Sequence, residues 1–276
     1  MPELPEVIVI RNGLRNEIIG KKIVDLEIFS NHPLIPSKSH FNDFVVGNTI
    51  TNVSNTAKLL VITLASSYHV VVHLKMTGNI LYNTSDKYTK ISFKLSDGSE
   101  VNYSTIRKLG FLEIWDDKKL EQYSQRYGKT VLESNLEPDE FISIAKGRKK
   151  SIRNTILDQS IISGVGNIYA NEALFLTSIN PKTMTNALSE QQLEKLLKNR
   201  KKVMKMGIEH GGSSIDRYKN IFGELGTQQD HFLVYGKKGQ LCTQCKSCEI
   251  LYEKYQGRGI YYCPNCQNNN EAANKK

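Results

Sequence analysis

The residues able to do chemistry stand at the two ends of the chain. With Met1 removed, Pro2 presents a free secondary amine. Such an amine attacks an aldehyde-level carbon, C1′ of a nucleotide sugar for example, and forms a positively charged imine, with Glu3 one residue away to move the protons. A terminal amine titrates at roughly 7.7 to 8.0, and burial or neighbouring Lys and Arg lower this further, so a neutral, reactive fraction exists at pH 7. Taken alone, Pro2 and Pro5 also fit a plainer role, stiffening a start that runs into a helix.

At the far end, Cys242-Thr243-Gln244-Cys245 and Cys263-Pro264-Asn265-Cys266 are two C-x-x-C pairs separated by residues 246–262. That is zinc-ribbon spacing, each pair supplying two thiolates to one tetrahedral ion. Two disulfides would instead need an oxidising compartment, and no secretory apolar stretch marks the charged, polar start. Four cysteines leave no open coordination position, so the ion is expected to be structural. Cys245 and Cys248 are also spaced C-x-x-C, which leaves the leading pair to be chosen; Cys242 with Cys245 is preferred, and Cys248 becomes a spare thiol beside the metal.

The chain has 276 residues, enough for two domains, and its Cys-rich end reads as a third small module held by metal. Lys and Arg number 37 against 28 Asp and Glu, giving a net charge of +9. That excess favours a polyanionic partner, most simply nucleic acid, through release of phosphate counterions. No apolar run approaches the roughly 18 residues of a membrane span, so a soluble, intracellular protein is expected.

Those end residues need elements to hold them. From Ile23 to Trp115 the pattern is β, with strands predicted at Ile23–Phe29, Leu59–Ala65, His69–Lys75, Ile91–Leu95 and Val101–Ser104. Asp97-Gly98 marks the hairpin between the last two. Val7 to Ile10 is β-branched, yet Val7, Ile10, Leu14 and Ile18 also fit one helical stripe, and pattern alone does not choose. A linker is placed around Leu132 to Pro138, followed by helical periodicity as far as Gly211. The clearest helix has Ser189 as N-cap and Gln192 closing a capping box. Its stripe of Leu193, Leu196, Leu197, Met204 and Ile208 stops at Gly211-Gly212. Ser163-Gly164-Val165-Gly166-Asn167 is a glycine-rich turn between helical segments, suited to a phosphate but equally to a tight bend.

Several motifs in order from Pro2 to about Gln267 resemble those of formamidopyrimidine-DNA glycosylases. They are Pro2-Glu3-Leu4-Pro5-Glu6-Val7, His73-Leu74-Lys75-Met76-Thr77-Gly78, Gly164-Val165-Gly166-Asn167-Ile168-Tyr169-Ala170-Asn171-Glu172, Gly211-Gly212-Ser213-Ser214-Ile215, and the closing Gly257-Arg258-Gly259 with Tyr262-Cys263-Pro264. Leu4 resembles this branch rather than the related endonuclease VIII, which usually carries glycine there. The resemblance implies an α+β multidomain fold. An N-terminal catalytic β-sandwich with flanking helices would occupy 1–133, a helix-two-turns-helix DNA-binding domain 134–234 and a zinc-ribbon hairpin 235–267, while the Asn- and Lys-rich tail at 268–276 reads as disordered from its composition. It also implies one structural Zn2+ on Cys242, Cys245, Cys263 and Cys266, no organic cofactor, a monomer, and damaged double-stranded DNA as partner in the cytoplasm and nucleoid.

By the same resemblance the substrates are oxidised purines, chiefly 8-oxoguanine and formamidopyrimidines, and the strand is then cut by β,δ-elimination. Pro2 is the Schiff-base nucleophile and Glu3 the acid that helps open the sugar. Lys58 assists β-elimination and Arg258 the later δ-elimination. Glu6 supports the terminus. Met76 and Arg107 match two of three gap-filling positions, and Leu109 stands where phenylalanine is usual. His73, Arg148 and Asn167 match phosphate-binding positions. Tyr88 stands where a DNA-contacting histidine is common and Arg153 where a lysine near the lesion is common. The span between the cysteine pairs is one residue longer than usual. Two rivals follow: an endonuclease VIII-like preference for oxidised pyrimidines, and a non-catalytic zinc-ribbon DNA-binding protein, which a retained Met1 or blocked Pro2 would favour.

Overall fold

The computed structural model describes residues 2–29, 34–35, 37–132 and 136–268. Beyond Asn268 the expected disordered tail lies outside the described residues, as do residues 133–135 of the expected linker. The chain forms two compact units, residues 1–126 with 207–229, and residues 127–206 with 230–276.

The first unit opens with α1 (Leu4–Ile18), so the helical stripe, not the β-branched run, decides the ambiguous start. Val7, Ile10, Leu14 and Ile18 all lie buried along it. Its N-terminus is closed by a reciprocal cap, in which the Glu3 side chain accepts from the backbone of Glu6 and the Glu6 carboxylate accepts from the Glu3 N–H. Two sheets follow. One takes β1 (Ile23–Ile28), β7 (Thr89–Leu95), β8 (Glu100–Thr105) and β6 (Gly78–Tyr82) in the order β1-β7-β8-β6. The other runs β2-β9-β5-β4-β3, from β2 (Leu34–Ile35), β9 (Phe111–Asp116), β5 (Tyr68–His73), β4 (Leu59–Leu64) and β3 (Ile50–Thr56). The side-chain period of two sorts β4 cleanly. Leu60, Ile62 and Leu64 join Ile80, Ile91, Phe93 and Tyr103 of the other sheet in the sandwich core, with Ile10, Leu14 and Ile18 of α1. Leu59 and Val61 face the opposite way, onto Val71 and Trp115, where α3 (Asp117–Ser124) covers the sheet with Leu120 and Tyr123.

Periodicity did not mark β3, β6 or β9, nor the short α2 (Lys38–Val45). β3 is an edge strand that buries only Ile50 and Val53, so its sequence reads as polar loop. β6 is buried along its whole length and shows no alternation.

The second unit contains α4 (Pro138–Lys146), α5 (Ile152–Leu157), α6 (Asn167–Thr177), most of α7 (Glu190–Glu209) and the antiparallel hairpin of β10 (Leu251–Tyr255) and β11 (Arg258–Tyr262). α7 has the expected capping box, with Ser189 N–H on Gln192 at 2.8 Å and Gln192 N–H on Ser189 Oγ at 3.2 Å. It ends at Gly211 and Gly212, both at positive φ. The architecture is the expected α+β one: a β-sandwich with flanking helices, a helical domain and a C-terminal hairpin bearing four cysteines.

Candidate active site and metal centre

In the first unit the chemistry gathers at the start of α1. Pro2, Glu3 and Glu6 are all buried. The Glu6 carboxylate accepts from Glu3 N at 2.7 Å and, 207 positions away in sequence, from Ser213 N at 2.9 Å. One side chain thereby fixes the backbone that carries Pro2 and ties it to the turn following α7. Gly212 makes this possible: φ is +87° there, and a Cβ would meet the Tyr218 ring at 2.6 Å and Glu6 Cγ at 3.0 Å. Burial and the Glu6 charge push the Tyr218 phenol up from its ordinary pKa. Asn79, on β6, holds the same segment from its other side, donating to Arg217 O at 3.0 Å and accepting from Lys219 N at 3.2 Å. Ser213 entered the sequence reading only as part of a motif and Asn79 not at all, because the hydrogen bonds that tie them to Glu6, Arg217 and Lys219 span more than 130 positions.

Lys58 lies half-buried in the β3–β4 turn, next to Ala57 at positive φ. β4 pairs Leu59 with His73 across the sheet, which brings Lys58 and His73 together. Burial first, then the charges of Lys75 and Lys58, lower the His73 pKa to about 4, so the ring is neutral at pH 7. Its Nδ1 accepts from Lys75 N at 3.0 Å, which leaves the proton on Nε2 as a donor. A neutral donor beside Lys58 suits a phosphate oxygen.

Met76 and Arg107 meet at the surface, and Leu109 is exposed two residues beyond Arg107. Arg107 Nη1 lies 3.8 Å from Met76 Sδ, and Arg107 N donates to Thr77 Oγ1 at 3.1 Å. Met76 is 41% exposed and Leu109 53%, although both are apolar. Gly110 fixes the end of the β8–β9 loop that carries Arg107 and Leu109, since a Cβ there would stand 2.3 Å from Tyr103 Oη and 2.6 Å from His73 O. Tyr88 sits half-buried in the β6–β7 connection, its N–H on Asp86 Oδ1 at 2.8 Å.

In the second unit, Arg153, Asn167 and the hairpin carrying Arg258 come together. Arg153 is 1% exposed and donates from Nη2 to Asn167 Oδ1 at 2.7 Å, while Asn167 Nδ2 donates to Gly259 O at 3.0 Å. Burial, then the nearby Arg258 charge, lower the Arg153 pKa. Arg258 is exposed at the first position of β11, after Gln256 and Gly257 at positive φ. Asn171, one turn along α6, accepts from Tyr261 N at 2.8 Å, and Glu172 accepts from the N–H groups of Leu233, Val234 and Tyr235. Arg148, in contrast, is exposed just beyond α4.

Cys242, Cys245, Cys263 and Cys266 place their Sγ atoms within 4.8 Å of one another. The Cys242–Cys266 and Cys245–Cys263 separations are 3.8 and 3.7 Å. A disulfide needs about 2.05 Å, whereas four thiolates at about 2.3 Å from one ion stand roughly 3.8 Å apart, so this set fits a tetrahedral metal. Cys248 is not in the cluster; its carbonyl accepts from Cys242 N at 2.8 Å.

Two family models match the chain, the formamidopyrimidine-DNA glycosylase N-terminal domain over residues 1–112 and the formamidopyrimidine-DNA glycosylase H2TH domain over residues 128–219. The formamidopyrimidine-DNA glycosylase of Carboxydothermus hydrogenoformans is 35% identical over 97% of this chain and 100% of its own. That of Streptococcus thermophilus is 34% identical over 97% of this chain and 99% of its own. Among solved structures, the Lactococcus lactis Fpg in complex with DNA containing an abasic site aligns with a TM-score of 0.89 at 29% identity, covering 96% of this chain and 99% of that one. No described helix is long and apolar enough to cross a membrane. From its motifs, its two domains and this near-complete overlap, the chain belongs to the formamidopyrimidine-DNA glycosylase family.

Proposed function

We propose that this DNA glycosylase excises oxidised purines, 8-oxoguanine and formamidopyrimidines, from damaged duplex DNA and then cuts the strand as a lyase. The observation that carries the reading is the Glu6 carboxylate, which clamps the backbone of Glu3 and Ser213 and so immobilises the Pro2-Glu3 pair. Once Met1 is removed, the Pro2 nitrogen attacks C1′ as the damaged base leaves with the electrons of its glycosidic bond. The Pro2 nitrogen gives up its proton to solvent, Glu3 protonates the ring oxygen, the bond from C1′ to that oxygen breaks to open the sugar, and the product is an iminium between Pro2 and C1′. That cation acidifies the C2′ proton. Its loss expels the 3′ phosphate, and a second elimination expels the 5′ phosphate. Lys58 and Arg258 neutralise the departing phosphates. Water finally hydrolyses the imine and returns the free amine.

The surrounding assignments follow from the family resemblance. Neutral His73, Asn167 and Arg148 hold DNA phosphates, Tyr88 contacts the DNA, Arg153 lies near the lesion, and Met76, Arg107 and Leu109 occupy the space an extruded nucleotide leaves, which offsets a few kcal/mol of unstacking. Zinc, held by Cys242, Cys245, Cys263 and Cys266, is the ion that suits four thiolates; it fixes the hairpin that presents Arg258. We assign the working boundaries 1–133, 134–234 and 235–267 to these tasks, in a monomer acting on intracellular DNA.

The test is reduction with borohydride in the presence of lesion-bearing duplex, which should trap a covalent complex on Pro2. Glu3→Gln should stop base release while DNA still binds. A protein whose intact mass shows Pro2 blocked by an added N-terminal tag, yet which cleaves at the wild-type rate, would end the proposal.

A further inference from the structure

α7 carries a feature that the lesion chemistry does not use. Lys195, Lys198, Lys202 and Lys205 are all exposed, and their spacing of three, four and three residues aligns them in one stripe. At about 100° per residue they fall within roughly 80° of arc, centred opposite the buried face of Leu193, Leu196, Arg200, Val203 and Met204. From Lys195 to Lys205 the sequence has no acidic residue, and none of the four lysines has an ion-pair or hydrogen-bond partner among the described residues. The stripe is about 15 Å long. Duplex DNA carries one phosphate charge per about 1.7 Å of its axis, so four cations over this length face a dense line of negative charge. α7 meets α6 through Asn199 on Thr177 at 3.2 Å, which is the end of α6 away from Asn167.

We propose that this lysine stripe is a second DNA surface, which grips the sugar-phosphate backbone of undamaged duplex without reading sequence. The inference rests on DNA being the protein's substrate. A compact ammonium on a flexible stem suits it, because such contacts are electrostatic, tolerant of sequence and strongly salt-dependent. Its use is to keep the enzyme on long duplex, or to engage a second segment, between encounters with damage.

The experiment compares the full chain with a variant in which Lys195, Lys198, Lys202 and Lys205 are all glutamine, and with one in which all are arginine. Affinity for labelled undamaged duplex is measured from 50 to 200 mM salt. Each lost phosphate contact should reduce the slope of log affinity against log salt by about 0.9. Loss of two to four contacts would therefore make the glutamine variant's weakening over that range about 10- to 150-fold smaller. The arginine variant should keep the wild-type slope, and the thermal midpoints of all three should agree. Coincident slopes for wild type and the glutamine variant would overturn the proposal, whether the stripe is then only a solvated face or a site for an acidic protein. Cleavage of lesion-bearing duplex by the wild type is followed in parallel. Its absence with differing slopes would sink the enzymatic reading and leave the surface standing; its presence with coincident slopes would do the reverse.

Discussion

His73 shows how a single residue's role depends on charges that come from elsewhere. Its sequence position suggests a phosphate ligand, and a histidine cation would be the simple expectation. Instead burial, Lys75 and Lys58 hold the ring neutral, with a pKa of about 4, and the Lys75 N–H on Nδ1 selects the tautomer that donates from Nε2. In the unfolded chain the ring takes up a proton below its ordinary value of about 6.5. The stability this neutral ring contributes is therefore complete above about pH 6.5 and is lost as pH falls toward 4. His73→Gln should flatten that part of the curve. Urea midpoints at a series of pH values check this, and parallel curves for the two proteins would refute it. At this scale the sequence revealed residue types: the secondary amine of Pro2, the acid beside it and four thiols. It did not reveal that Glu6 reaches Ser213, since nothing local connects residues 207 positions apart.

Among the elements, α7 was the most legible, because its cap, its stripe and its glycine stop all agree. The α1 start was ambiguous on propensity and was decided by the Glu3–Glu6 cap together with burial of the stripe. What no pattern announced is Arg200, in the middle of the apolar face of α7. It is 1% exposed, none of its three guanidinium nitrogens has a hydrogen-bond partner among the described residues, and burial lowers its pKa to about 9. The Phe141 ring lies 5.9 Å away. A cation–π contact gives about 2 kcal/mol when desolvated, less than an unpaired buried charge costs. Arg200→Leu, which keeps apolar bulk and removes the charge, should stabilise the protein by about 1–3 kcal/mol. Urea denaturation measures this; a loss of stability would mean that the guanidinium is held by interactions of more worth than its burial costs.

Across the whole molecule, the two units rest on different kinds of support. The first has a large apolar core, built from two sheets and α1. The hairpin of the second has two strands, an arrangement marginal by itself in water, and its small cluster contains Cys242 and Cys263. On the proposal that zinc occupies the four thiols, a structural ion of that kind contributes about 10–16 kcal/mol of binding energy, and metal and fold go together. The positions of Gly259 and Tyr261, which meet Asn167 and Asn171, depend on that hairpin. Cysteine spacing made the four-thiol site legible in sequence, while the linkage of its hairpin to the start of α6 was not, because it runs through two asparagine side chains to backbone atoms about 90 positions away. Chelation, or Cys242→Ser, should therefore release the hairpin, expose the Tyr261 amide to exchange and weaken DNA binding. Cys248→Ser should retain the metal. Trp115, the single tryptophan, is buried under α3 in the first unit and reports on that unit alone. Its emission and its unfolding midpoint should stay close to those of the metal-loaded protein. Collapse of the Trp115 signal together with metal loss would show that the first unit needs the metal too, and a Tyr261 amide still protected after metal loss would show that the hairpin stands without it.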